Sequence, residues 1–326
     1  VVTNDMLASE YEIDTSHEWI HPRTGIEERR FSDVGVYTSD LAAEASKDAL
    51  ANAGIEARDV GLIILATLSP DCHFPGTGVY LQRKLGVADA DDPVFVPALD
   101  IRNQCSGFVY GLSVAASMVQ AGGVDNVLLV GAETHSHAMD MTTRGRGVCS
   151  LFGDGAGAVV VSATDEDRGV RGWSLGADSR HADALCQKIW DVSQKTFLPL
   201  DEQGRGIVEP EMMWAHMNGK VVFKHAVRRM IESLMQTCLK LDVTRDDIDL
   251  FCFHQANLRI NEHVQKLLGI EDDKVVHNIE RYGNTTAATI PLLLAEAERS
   301  GKLERGMKVA MVAFGSGFTW GSAIVD

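Results

Sequence analysis

The feature that most constrains this chain is that it repeats itself. DVGLII at 59–64 returns as DIDLFC at 247–252, and LQRKLGV at 81–87 returns as VQKLLGI at 264–270. NVLLVGAETHS at 126–136 has its counterpart in KVAMVAFGSGF at 308–318. The three pairs fall in one order and at nearly one offset, which marks an internal duplication. Each copy alternates helix-like and strand-like runs. The first helix is expected over about 39–53, with Ser39 or Asp40 as N-cap and Gly54 as its stop. The runs 61–67 and 126–131 are short, nearly continuous and rich in Val, Ile and Leu, the pattern of strands buried on both faces. Such alternation predicts an α/β fold of mostly parallel sheets covered by helices, two halves packing as layers about a pseudo-twofold axis. A stretch at about 172–215, rich in Asp, His, Gln and Trp, reads as an irregular insertion.

Composition narrows the function classes. The chain has 326 residues, long enough for one large α/β unit or two fused ones. Its formal net charge of −16 disfavours a nucleic-acid partner, because phosphate binding needs a basic surface. An acidic partner remains compatible with a local basic patch. No apolar run reaches the roughly 18–20 residues of a membrane span, so no membrane role is expected. The opening VVTNDMLASE lacks the charged-then-apolar form of a signal peptide, and a short segment is expected upstream of Val1. Six cysteines (Cys72, Cys105, Cys149, Cys186, Cys238 and Cys252) without a C-x-x-C pair fit reduced thiols in the cytoplasm and argue against a structural zinc site.

Four stretches carry candidate chemistry. Cys105 follows the strand-like VFVPALDI and opens an apolar helix that ends at Gly122-Gly123. A helix N-terminus favours thiolate over thiol, yet free cysteine is also among the most buried residue types. His254 ends the apolar run LFCF before Gln255-Ala256-Asn257 opens another helix. It stands either as a core or capping histidine or at a ligand-facing strand end. Asn284, in Gly283-Asn284-Thr285, is turn chemistry or a site residue, with Thr285 or Thr286 as a helix cap. The turn AFGSGFTWG, 313–321, can aim backbone N–H groups at a developing oxyanion. The duplication sets Cys105 and Asn284 near the starts of corresponding helices, so a pseudo-twofold axis can bring them to the centre with His254. The tandem histidines of HSH, 135–137, suggest a metal but have no evident third ligand, and read as loop.

Taken together, DTSHEWIHPRTGIEER (14–29), CSGFVYGLSVA (105–115), RGVCSLFGDGAGAVVV (146–161), HQANLRI (254–260), RYGNTTAATIP (281–291) and FGSGFTWGSA (314–323) resemble the β-ketoacyl-[acyl-carrier-protein] synthase III family of condensing enzymes. The resemblance implies a duplicated thiolase-like fold in five layers, αβαβα, here with halves 1–165 and 166–326, and a homodimer. It implies that Cys105 takes the acyl group from an acyl-CoA and that malonyl-acyl carrier protein then replaces CoA. His254 and Asn284 would stabilise the enolate left by decarboxylation. Backbone N–H groups of Cys105 and Ser316 would form the oxyanion hole. CoA would be held by Trp19 at its adenine and by Arg23 and Arg146 at its phosphates. Phe74 would line the acyl pocket of the partner subunit, Arg259 and Lys224 would receive the carrier protein, and Asn257 would position His254. The implied reaction uses no metal or other cofactor.

Two departures bear on the substrate. Ser316 stands where the family commonly has glycine, and Gln104 precedes the cysteine where small residues are commoner. They leave open a longer or unusual acyl donor, or an acyltransferase or condensing enzyme of a specialised pathway. A papain-like hydrolase, which shares the Cys-His-Asn set, lacks the duplicated halves. A non-enzymatic acyl-CoA-binding subunit would bind without forming an acyl-cysteine.

Overall fold

The computed structural model describes residues 1–189, 200–204, 206 and 210–326. Its main helices are α1 (His17–Thr24), α2 (Thr38–Ala53), α3 (Thr77–Lys84), α4 (Gly107–Gln120), α5 (Gly219–Leu241), α6 (Leu258–Leu268) and α7 (Thr289–Arg299). One four-stranded sheet contains β1 (Leu62–Ala66), β2 (Ala98–Ile101), β3 (Asn126–Glu133) and β4 (Gly155–Ser162). A second contains β5 (Val170–Ala177), β6 (Leu250–Phe253), β7 (Val309–Gly315) and β8 (Thr319–Val325). The first runs β2-β1-β3-β4 and the second β6-β7-β8-β5. In the first, β1 is parallel to β2 and β3, and β4 is antiparallel to β3. In the second, β6 is parallel to β7, while β8 is antiparallel to both β7 and β5. The repeated sequence segments therefore occupy equivalent strands. Where β2 flanks β1, a single parallel bridge from Phe251 to Val275 flanks β6.

Strand periodicity explains the layering. Successive residues of a strand point to opposite faces, and here both faces are apolar. Leu62, Ile64, Val127 and Leu129 meet Leu250, Cys252, Val309 and Met311 through Phe108 and Leu112 of α4 and Ile290 and Leu293 of α7. Ile63, Leu65, Leu128 and Val130 turn the other way, onto Ala42 and Leu50 of α2 and Leu81 of α3. Phe251, Phe253, Ala310 and Val312 pack on Met230 and Leu234 of α5 and Val264 of α6. The order of layers is helix, sheet, helix, sheet, helix. Each fully buried Leu, Ile or Phe contributes about 1.5–3 kcal/mol, so both faces of each sheet need their helices.

Two expectations are corrected. The N-cap of α2 is Tyr37, not Ser39 or Asp40. Asp40 sits one turn in and accepts the Tyr37 N–H at 2.9 Å, while the Ser39 hydroxyl is drawn away to Asp71. Gly54 does end the helix, in the left-handed conformation at φ 69°. The stretch 172–215 is not irregular throughout, because 172–177 belong to β5 and pair with β8. Gly172 and Gly176 interrupt the apolar alternation that would have announced that strand. Residues 190–199, 205 and 207–209 of the stretch lie outside the described residues. Among the described residues, no helix is long and apolar enough to cross a membrane.

Candidate active site

After β2 the chain turns at Gln104, which is in the left-handed region at φ 46°, and passes through a short 3-10 turn into α4. Cys105 lies in that turn and is only 7% exposed. The end of β7 lies directly against it. A Cβ on Gly315 would come 3.0 Å from the Cys105 Cβ and 3.1 Å from its nitrogen, so only glycine permits this approach. The backbone at Ser316 and at Cys105 itself both favour the thiolate. Serine is tolerated at 316 because the positive φ of the turn falls on Gly317, at 132°. The Ser316 hydroxyl donates to the Leu185 carbonyl and ties the turn down.

The segment 284–289, leading into α7, supplies the opposite side. Asn284 is buried, and its Oδ1 accepts the Thr286 N–H at 2.8 Å. With Oδ1 engaged, its amide NH2 remains as a donor. Thr286 is held at φ 50°, uncommon for a β-branched residue, and its hydroxyl faces the Cys105 sulfur. His254, just beyond β6, donates its N–H to the Val312 carbonyl at 2.8 Å. Its Nδ1 lies 2.6 Å from the Thr289 hydroxyl, which also reaches the Thr286 carbonyl at 3.1 Å. Nε2 of His254 is buried without a hydrogen-bond partner. Cys105, His254 and Asn284 thus converge on one turn. A cavity of about 610 Å³ opens beside them, its walls including Leu68, Gln104, Cys105, Phe152, Leu185 and Ser316.

Burial sets the electrostatics. It pushes the Cys105 thiol up to about 12, aided by the negative charge of Glu133 and only partly opposed by the backbone groups and Thr286. The backbone at the helix start favours thiolate as expected, but desolvation, the other side of the sequence reading, outweighs it. Burial pushes His254 down to about 3, so it is neutral at ordinary pH. An unfolded histidine takes up its proton near 6.5, whereas the folded one resists protonation until about 3. The unfolded state thus binds more protons below about 6.5, and the stability due to neutral His254 is lost as pH falls toward 3. Urea unfolding of the wild type and His254→Gln is expected to show their difference moving against the wild type over that window. A pH-independent difference would refute it.

Other anticipated residues are placed as follows. The guanidinium groups of Arg23 and Arg146 lie 4.8 and 5.0 Å from the Trp19 ring centroid, so these three are together, away from the cavity walls named above. Arg259 donates to the carbonyls of Pro22 and His21 at the end of α1 and to Glu262. Lys224 is exposed on α5. Phe74 is 80% exposed and stands apart from the cavity. Asn257 does not hold His254: it caps α6 by accepting the Arg259 N–H at 2.9 Å and donates to the Arg23 carbonyl. Thr289 holds the ring, and Asn261 donates to the His254 carbonyl at 3.2 Å. His135, read from the sequence as loop within HSH, is buried with Nε2 2.6 Å from the Thr286 hydroxyl. The repeat held the signal, since it sets ETHS opposite the GSGF turn that touches Cys105.

Comparison with known proteins settles the kinship. Residues 99–179 match the family 3-oxoacyl-[acyl-carrier-protein (ACP)] synthase III, and residues 238–326 match its C-terminal part. A β-ketoacyl-[acyl-carrier-protein] synthase III of Clostridium perfringens is 42% identical over 313 residues, 96% of this chain and 91% of that protein. This chain belongs to the 3-oxoacyl-[acyl-carrier-protein] synthase III family. A synthase III of Roseiflexus sp. is 41% identical and covers 100% of this chain and 94% of its own length. The crystal structure of the Aquifex aeolicus synthase III superposes with a TM-score of 0.85 at 38% identity, covering 99% of this chain and 94% of that one. The priming β-ketosynthase of the R1128 polyketide pathway gives 0.85 at 31% identity, with 99% and 91% covered. As a synthase III, the chain is a condensing enzyme of acyltransferase type with the thiolase fold.

Proposed function

We propose that this synthase III joins an acyl-CoA primer to malonyl-acyl carrier protein, releasing carbon dioxide and forming a 3-oxoacyl thioester. The observation that carries the reading is the convergence of Cys105, His254 and Asn284 on the 284–289 turn beside an open cavity. The half 1–165 would supply the cysteine, and the half 166–326 the histidine and asparagine. The Cys105 sulfur attacks the thioester carbonyl, and the oxyanion accepts hydrogen bonds from the backbone N–H groups of Cys105 and Ser316. CoA leaves, and the acyl group stays on sulfur. In the second step the malonyl carboxylate departs as carbon dioxide, and its bonding pair becomes an enolate. When the Thr289 hydroxyl turns its single proton from the Thr286 carbonyl to Nδ1, the ring proton stands on Nε2 of His254. Nε2–H and the Asn284 amide then donate to the enolate oxygen. The enolate carbon attacks the acyl-cysteine and releases the thiolate. Decarboxylation supplies the carbanion, so the chemistry calls for no cofactor beyond the thioester carriers.

Trp19, Arg23 and Arg146 would hold the adenine and phosphates of CoA, and Lys224 with Arg259 would meet the acidic carrier protein. A reaction drawing on these carriers would run in the cytoplasm. The homodimer would form at the open edge of β2. Leu99 in β2, Phe95 just before it and Phe74, three residues before the Thr77 that binds Asp100 of β2, are 41%, 78% and 80% exposed, which supports an interface. Phe74 would then reach the partner's acyl pocket. Phe95→Asp is expected to halve the mass seen by light scattering, and an unchanged mass would refute this interface.

The deciding experiment is intact-protein mass after incubation with acyl-CoAs of graded length. A single acyl adduct, absent from Cys105→Ala, is expected, and the preferred length identifies the primer. Condensation surviving in Cys105→Ala would overturn the reading.

A further inference from the structure

The mechanism above leaves the Cys105 proton without a destination. The sulfur is buried beside Glu133, which disfavours its charged form, and the His254 Nε2–H serves as a donor. A second histidine is in reach. His135 begins a 3-10 turn just beyond β3 and is 8% exposed. Its ring packs on Phe152, a wall of the cavity, with centroids 4.9 Å apart. Its Nε2 lies 2.6 Å from Thr286 Oγ1, and that hydroxyl faces the Cys105 sulfur. The same Nε2 is also 4.0 Å from the fully buried Glu133 carboxylate. Glu133 is itself fixed, accepting from the N–H groups of Leu68 and Ser69 and from the Ser69 hydroxyl. Sulfur, hydroxyl and imidazole therefore follow one another, with the carboxylate beside the same imidazole nitrogen and near the sulfur.

The Thr286 backbone is built around that arrangement. A β-branched residue at φ 50° is costly and persists only where its surroundings enforce it. Here Asn284 Oδ1 holds its N–H, which presents the Thr286 side chain between Cys105 and His135. The titratable groups around His135 are Glu133 on its own strand, Cys105 across Thr286, and Asp154, which accepts the neighbouring Ser136 N–H at 2.9 Å.

We propose that His135, acting through the Thr286 hydroxyl, takes up the Cys105 proton as the acyl-enzyme forms and returns it when condensation frees the sulfur. The inference rests on the acyl-Cys105 reading above. During acylation the thiol proton passes to Thr286 Oγ1 as the Thr286 proton passes to His135 Nε2. The sulfur pair bonds to the thioester carbon, and CoA leaves as a thiolate that takes a proton from water. The cationic ring faces Glu133, so the buried charges are paired. During condensation the C–S bond breaks, and the Cys105 thiolate recovers its proton from Thr286 as Thr286 recovers its own from His135. His135 is thus a positioning residue for a proton, distinct from the enolate-stabilising His254.

The test is the pH profile of Cys105 alkylation by iodoacetamide, which needs no substrate, read by peptide mass. The variants are His135→Gln, His135→Leu, Thr286→Val and Thr286→Ser. The alkylation rate across pH 6–9 is expected to fall at least ten-fold in both His135 variants and in Thr286→Val, whereas Thr286→Ser keeps the wild-type rate. Acyl transfer from acyl-CoA at pH 7 is expected to slow at least ten-fold in the His135 variants, and decarboxylation of malonyl-CoA by less than three-fold. An unchanged alkylation rate, or equal losses in both half-reactions, would overturn the proposal. Either result is separable from failure of the acyl-Cys105 reading, which would appear as condensation surviving in Cys105→Ala.

Discussion

Asn284→Ala is expected to slow malonyl decarboxylation by at least a hundred-fold and to lower stability at the same time. Both effects come from one amide. Its NH2 is placed to donate to the enolate, and removing one such donor costs about 10²–10³ in rate. Its Oδ1 accepts the buried Thr286 N–H at 2.8 Å. Leaving that donor unsatisfied costs about 1–3 kcal/mol and releases the clamp on a residue held at φ 50°. Asn284→Asp separates the effects, since a carboxylate still accepts from Thr286 but sets an acceptor where the enolate needs a donor. Asn284→Asp should therefore keep the urea midpoint near that of the wild type and still lose carbon dioxide release. Decarboxylation within ten-fold of the wild type in Asn284→Ala would remove Asn284 from the mechanism.

Gly131→Ala is expected to be the most damaging conservative change in the core. Gly131 lies in β3 beneath the 286–288 turn, and a Cβ there would stand 2.3 Å from the Ala287 carbonyl oxygen and 2.7 Å from its carbon. The obstacle is backbone and not the tip of a flexible side chain, so the strand or the turn must move. Overpacking typically costs 1–3 kcal/mol, and a clash with fixed backbone belongs at about 3 kcal/mol. Moving the turn also displaces Thr286 and Asn284, so turnover should fall with stability. Gly147→Ala is the control, because nothing lies within 4 Å of a Cβ there. Its effect should stay within about 0.5 kcal/mol. Urea unfolding and carbon dioxide release measured together check both. Gly131→Ala with a wild-type midpoint and turnover would mean that the turn does not need this close approach.

The layered α/β fold was legible because its signals are local or repeated. Val-, Ile- and Leu-rich runs at 62–66 and 126–133 announce strands buried on both faces, and the duplication extends the pattern to 250–253 and 309–315. Strand β5 was not legible, since Gly172 and Gly176 hide its alternation and its pairing partner lies far along the chain in β8. Cys105, His254 and Asn284 stood out by residue type at the ends of predicted elements. His135 was noticed in HSH but read as loop, because its place beside Thr286 has no local signature until its neighbours are known. The balance between the two readings of Cys105, helix start against burial, was open for a related reason. The helix start is visible in sequence, whereas the desolvation that outweighs it depends on how β7 and the 284–289 turn close over the sulfur.

The sequence by itself determined the duplicated architecture, the family, and which residue types are available for the chemistry. Periodicity and motif spacing are properties of neighbouring residues and survive without a structure. Tertiary structure decided which of those residues meet. It set Thr286 against the sulfur, His135 behind Thr286, and Thr289 behind His254, none of which follows from spacing along the chain. It also decided the charge states, because the cost of burying a charge is set by everything packed around it, and that packing joins segments more than a hundred residues apart.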